Sequence, residues 1–192
     1  MRRILFWTHL IAGVTAGVVI LILCVTGALL AFEKQITSSV DRQNLQPVTR
    51  SGQRQPAEEI LRLAGVQRPM SLTVSADPGE PLQLAVSREQ VLYVDPYNAR
   101  ILGEGSRQVR AFFASVTSWH RWLGASNESR VWGKSIADAS NLLFVLIIVT
   151  GPFLWLPRKW SAAGLRAIAL FRGGLRGRAR DWNWHNVAGI WT

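Results

Sequence analysis

The sequence predicts a membrane α-helical fold, with two full transmembrane helices and the start of a third, and a small α+β domain held between the first two crossings. Three observations predict it. Two blocks without Asp, Glu, Lys or Arg, residues 4–32 and 139–157, run to twenty-nine and nineteen residues, against the roughly twenty needed to cross hydrocarbon. Basic residues collect outside these blocks: Arg2 and Arg3 before the first, and Arg158, Lys159, Arg166, Arg172, Arg176, Arg178 and Arg180 after the second. Between the blocks, short alternating apolar runs are separated by Pro, Gly, Asp and Asn, the punctuation of a small sheet.

Residues 1–33 form transmembrane helix 1. A cleaved signal peptide would also carry leading arginines, but its apolar core is shorter than this one. Residues 34–117 form the α+β domain, opening with a polar, Gln- and Arg-rich linker. Pro56 suits the first turn of a helix, and Ile60, Leu61 and Leu63 among Glu58, Glu59 and Arg62 make residues 57–66 amphipathic. Strands are predicted at 71–76 and 81–87, joined by the Asp77-Pro78-Gly79 turn, then at 91–94 and around 100–103, joined by Asp95-Pro96-Tyr97-Asn98.

Residues 118–157 hold a histidine segment and transmembrane helix 2. This ends in an aromatic and basic anchor of Trp155, Pro157, Arg158, Lys159 and Trp160. Residues 158–181 are a basic loop in which Trp160, Leu165, Ile168, Phe171 and Leu175 alternate with arginines, a pattern suited to anionic membrane lipid. Gly173, Gly174 and Gly177 weaken any continuous helix there. Residues 182–192 begin a third crossing.

The formal net charge is +10, yet residues 33–110 hold ten basic against nine acidic side chains. The excess is therefore split between the two ends, which fits the positive-inside pattern and excludes nucleic acid as a partner. That pattern puts the N-terminus and the 158–180 segment in the cytoplasm and the intervening domain outside. Cys24 is the single cysteine, so the chain forms no internal disulfide, CxxC pair or cysteine-ligated iron–sulfur cluster. The domain between the crossings has no His or Cys, and its carboxylates are scattered among basic residues. No catalytic residue is assigned.

The functional signal lies in the histidines. His9, His120 and His185 are the only three, each near a membrane boundary and each followed four residues later by glycine: Gly13, Gly124 and Gly189. On a helix these positions share a face. An imidazole beside a site without a side chain offers a nitrogen to iron and flat room for a porphyrin, with Trp7, Trp119 and Trp184 nearby to pack on its edge. Interfacial histidines with belt tryptophans and packing glycines account for the same residues. On pattern alone both readings stand.

The chain also repeats itself. Trp7-Thr8-His9-Leu10-Ile11-Ala12-Gly13 matches Asn183-Trp184-His185-Asn186-Val187-Ala188-Gly189 in register, and Val25-Thr26-Gly27 matches Val149-Thr150-Gly151 in the later part of each spanning block. A helical repeat follows, with a third crossing cut short at Thr192, as in a fragment of a longer protein.

These residues resemble the PepSY-associated transmembrane family of bacterial inner-membrane proteins. The carriers are the His9 helix with its Thr26-Gly27 end, Tyr93-Val94-Asp95-Pro96-Tyr97, Trp119-His120-Arg121-Trp122-Leu123-Gly124, and the run from Thr150 through Pro157 to Arg158. The resemblance implies a periplasmic PepSY-type domain over residues 34–117 and a complete protein about twice this length. It also implies b-type haem on membrane histidines, with His9 and His185 as ligands on the cytoplasmic side and His120 on the periplasmic side. The ligand partner of His120 would lie in a missing half.

The activity so implied is a haem-dependent oxidoreductase that takes electrons from a cytoplasmic or membrane donor and passes them to ferric siderophores or other periplasmic ferric iron. The alternative is a non-enzymatic membrane protein whose PepSY-type domain binds or restrains a periplasmic partner such as a protease. Asn98-Ala99 stands where the family more usually has Thr-Gly.

Overall fold

The computed structural model describes residues 1–157 and 161–191; Arg158, Lys159 and Trp160 of the expected interfacial anchor, and Thr192, lie outside the described residues. Contacts divide the chain into two compact units, one of residues 1–24 with 121–192 and one of residues 25–120.

Helix α1 (Arg2–Ala31), whose residues up to 24 belong to the first unit, and helix α5 (Arg130–Trp155) of that unit are long and apolar enough to cross a membrane. At 1.5 Å per residue α1 reaches about 45 Å, more than a hydrocarbon core. Burial along both helices is inverted relative to a soluble protein. The buried positions are small or hydroxylated, Ala12 and Ala16 on α1 and Gly133, Ala137, Ser140 and Thr150 on α5, while Val14, Val18, Leu142 and Val145 are exposed. Helices in lipid pack through small residues that allow close approach and turn large apolar ones to the acyl chains.

The second span begins earlier than residue 139, with a 3₁₀ turn at Asn127–Ser129 leading into α5 at Arg130. The two charges that interrupt the apolar run, Lys134 and Asp138, sit one turn apart and pair at 2.6 Å, so they extend the helix rather than bound it.

Before this helix the chain turns sharply after Trp122, with Leu123 and Gly124 both at positive φ (52° and 76°). The guanidinium groups of Arg121 and Arg130 both stack over the Trp122 ring, at 4.8 and 4.5 Å from its centroid. Gly133 lies under the same residue: a Cβ there would sit 2.1 Å from the Trp122 carbonyl oxygen. Gly133→Ala is therefore expected to destabilise the protein by about 1–3 kcal/mol through overpacking against backbone. The check is a lowered thermal midpoint in detergent, and an unchanged midpoint would mean the turn yields freely.

Beyond α5, Ser161 caps helix α6 (Ala162–Ala169) by accepting from the Gly164 N–H at 3.0 Å. Helix α7 (Gly177–Trp191) follows. The buried side chain of Asn183 joins the two helices: it donates to the carbonyls of Ala167 (2.9 Å) and Leu170 (3.2 Å) and accepts from the Arg172 N–H at 3.0 Å. Within the basic segment α6 therefore ends at Leu170, which is extended (φ -124°, ψ 141°), and the Gly173-Gly174 turn, with Gly174 at φ 81°, lies in the connection to α7.

In the second unit, strands β1 (Ser71–Thr73), β2 (Leu82–Ala85), β3 (Val91–Val94) and β4 (Ile101–Glu104) form an antiparallel meander in chain order. The pairs Leu82–Val94 and Leu84–Leu92 stand opposite each other, which puts four apolar side chains on one face. Helix α3 (Ala57–Leu63) covers that face, burying Ile60 with Leu82, Leu84, Val94 and Ala99. Strands β1 and β2 are shorter than the alternation at 71–76 and 81–87 predicts, because β1 pairs only with residues 83–85.

The expected polar linker is instead structured. Helix α2 (Glu33–Arg42) follows α1 directly, and the chain after it is pinned to the sheet. Gln46 donates its N–H to the Leu102 carbonyl at 3.1 Å, covering the β4 edge, and Gln55 donates to Pro96 at 2.9 Å. Thr49 donates its N–H and hydroxyl to the buried Asp95 carboxylate at 2.9 and 2.7 Å. The same carboxylate accepts from the Tyr97 N–H at 2.8 Å, so the Asp95–Arg100 turn and the former linker form one unit. Ala99 takes φ 58° in that turn. Only glycine adopts this conformation without cost, which explains why Gly suits the position better.

The other face of the sheet carries a buried ion pair. Asp41, at the end of α2, has a fully buried side chain and pairs with Arg110 of helix α4 (Arg107–Trp122) at 2.6 Å. It also accepts from the Tyr93 hydroxyl at 2.7 Å and the Ser106 N–H at 2.7 Å. Burial pushes the Asp41 carboxyl upward, but the Arg110, Ser106 and Tyr93 donors outweigh it and hold the group below the usual carboxylate range. Burial and the hydrogen bond to Asp41 push the Tyr93 phenol up to about 12.

Candidate functional site

The three histidines fall in two places. In the first unit His9 lies toward the N-terminal end of α1, and its Nδ1 is 2.9 Å from the Thr150 hydroxyl of α5. His185 comes from α7, and the two imidazole rings stand 6.2 Å apart between centroids at 80° to each other. Two helices far apart in the chain therefore bring their histidines face to edge. The local fold supports this: Arg2, at the start of α1, donates to the carbonyls of Leu154 and Leu156 at 2.7 and 2.8 Å, satisfying carbonyls that the end of α5 leaves open.

In the second unit His120, near the end of α4, has its Nδ1 2.9 Å from the Thr26 hydroxyl on the later part of α1. A Cβ on Gly27 would sit 3.2 Å from His120 Cε1, and a Cβ on Gly151 would sit 3.7 Å from His9 Cε1. Both Val-Thr-Gly repeats thus do the same work. Each threonine hydroxyl meets the Nδ1 of a histidine from another helix, and each glycine lets the ring edge pass. The repeat is visible in the sequence, as are the histidines, but nothing along the chain links the two.

The His-x-x-x-Gly pattern divides differently. Gly13 and Gly189 lie on the same continuous helices as His9 and His185, and a Cβ at either would meet no atom within 4 Å. Both offer open space one turn from their histidine. Gly124 does not share a helical face with His120, because α4 ends at Trp122 and Gly124 terminates it in the left-handed conformation. The tryptophans beside the histidines, Trp7, Trp119 and Trp184, are each about half exposed. Trp184 already meets Phe171 edge-on at 6.4 Å and the Arg180 guanidinium at 5.5 Å.

These side chains suit axial ligation better than a bare-ion cage. Among the described residues no three or more His, Cys, Asp or Glu side chains gather as a metal-holding group, whereas a haem iron is held by only one or two axial side chains. Two imidazole–metal bonds of about 2 Å each, with about 1.1 Å from each nitrogen to its ring centre, span about 6 Å. The 6.2 Å between His9 and His185 matches that span, and open space at Gly13 and Gly189 flanks the pair.

A search of curated proteins finds no match for the chain. The family model described as the PepSY-associated TM region matches residues 6–192, taking in all three histidines, both Val-Thr-Gly repeats and both apolar helices. The chain is accordingly a membrane protein, and it belongs to the PepSY-associated TM region family.

Proposed function

We propose that this protein is a haem-b electron-transfer protein of the bacterial inner membrane that reduces ferric iron, free or siderophore-bound, on the periplasmic side. The observation that carries the reading is the juxtaposition of His9 and His185 at the separation two imidazoles need to share one iron, with His9 oriented by Thr150. His9 and His185 would hold one haem, which when bound supplies a one-electron couple. The protein's own residues orient the imidazoles and leave room for the macrocycle beside Gly13 and Gly189. His120 has no second histidine among the three, so an iron on it takes its other axial ligand from elsewhere.

The topology proposed with this function has the N-terminus and the arginines of 166–180 in the cytoplasm and residues 34–117 in the periplasm. Arg2, Arg3 and the arginine-rich segment support it through the positive-inside rule. Electrons then enter from a cytoplasmic or membrane donor and leave to periplasmic ferric iron.

The test is direct. The full-length protein, purified in mild detergent, is expected to show a Soret band that shifts on dithionite reduction and to yield b-type haem in a pyridine extract. A colourless protein that also fails to take up added haemin would overturn the proposal and leave periplasmic partner binding as the better reading.

A further inference from the structure

We propose that Thr150 is a positioning residue that locks His9 in the Nδ1–H tautomer, so that its imidazole presents Nε2 to iron; this rests on the haem reading above. A threonine hydroxyl has one proton. Thr150 Oγ1 is 2.7 Å from the Leu146 carbonyl oxygen, one turn back on α5, and two oxygens that close require a proton between them. The hydroxyl proton is therefore committed to Leu146, and toward His9 the same oxygen can only accept. At 2.9 Å it accepts from Nδ1–H, which leaves the lone pair of the neutral ring on Nε2.

The pairing fixes orientation as well as protonation. Threonine is branched at Cβ and stiff at χ1, and the back-bond to the helix carbonyl, usual for helical threonines, holds the hydroxyl in place. The glycine that follows admits the ring edge, with Cε1 of His9 facing Gly151 and Cε1 of His120 facing Gly27. Thr26 occupies the equivalent step of the repeat, at the same 2.9 Å from its histidine. A hydroxyl acceptor draws on the Nδ1 proton less than a carboxylate would, so it makes the imidazole a better donor to iron without turning it into an imidazolate.

The experiment uses the full-length protein, ¹⁵N-labelled at histidine, in detergent micelles. Before any haem is added, His9 is expected to show Nδ1 protonated and Nε2 bare. Thr150→Val, which keeps the shape and removes the hydroxyl, is expected to move His9 toward the Nε2–H form, and Thr150→Ser to retain Nδ1–H. Haemin titration is then expected to show Thr150→Val binding about ten- to a hundredfold more weakly, the usual loss for a second-layer partner, with Thr150→Ser restoring native affinity. An Nε2–H His9 in the native protein, or haemin affinity unchanged in Thr150→Val, overturns the proposal. A native protein with Nδ1–H His9, lost in Thr150→Val, that takes up no haemin upholds the threonine lock and overturns the haem reading instead.

Discussion

Replacing Asp41 by alanine is expected to loosen the sheet unit by about 3–5 kcal/mol, the usual consequence of removing one partner from a buried ion pair. The loss is large because three donors converge on this carboxylate: the Arg110 guanidinium, the Tyr93 hydroxyl and the Ser106 N–H. Without it, Arg110 keeps a desolvated positive charge and the other two groups lose their acceptor. Hydrogen exchange of peptides covering 33–110 reads the change as protection lowered by about two to three and a half powers of ten. Replacing Asp41 and Arg110 together with Leu and Met is expected to recover much of the stability, since an apolar pair of similar volume removes the unpaired charge. Equal protection in native protein and Asp41→Ala would show that the pair is incidental.

The same carboxylate makes the unit acid-sensitive. Its folded-state pKa is depressed, so its contribution is complete above the unfolded value of about 3.9 and declines as pH falls below that toward the folded value. Asp41→Asn is expected to remove this part of the acid dependence. Arg110 and His120 share helix α4, and α2, which carries Asp41, directly follows the Thr26 end of α1, so the Asp41–Arg110 pair joins the helix of His120 to the segment next to Thr26.

Removing either His9 or His185 is expected to abolish the same haem. The two rings stand 6.2 Å apart and answer to one iron in the proposed function, so His9→Ala, His185→Ala and the double variant should all lose the same absorbance rather than add. His120→Ala, in the other unit, should leave that absorbance in place and remove only a component of its own. Potentiometric titration of the α-band checks this. Equal, additive losses from all three single variants would contradict the pairing.

Particular residues show which elements were legible. Strand β3 falls at residues 91–94 as read, because Val91-Leu92-Tyr93-Val94 is bounded by turn residues that admit no extension. Helix α4 carries Val109, Phe112, Phe113 and Val116 at helical spacing, so its signal was present, in a stretch assigned to the end of the polar domain. Helix α2 carries a weaker one, two apolar residues one turn apart. Ile36 and Val40 are its apolar residues, and a ten-residue helix this polar is stable only through tertiary contacts, here Asp41 with Arg110, Tyr93 and Ser106. The start of α5 was hidden by Lys134 and Asp138, whose mutual neutralisation becomes visible only once a helix sets them one turn apart.

By itself the sequence determined the two apolar spans and the sheet between them, and it singled out the three histidines as the candidates for the proposed ligand role. Those properties depend on local composition: uncharged length, two-residue alternation and imidazole chemistry are all written along the chain. The tertiary structure alone decided that His9 meets His185 and that each Val-Thr-Gly repeat receives a histidine from another helix. Each of these joins residues about ninety or more positions apart, and such pairings are set by how helices pack rather than by any pattern within one of them.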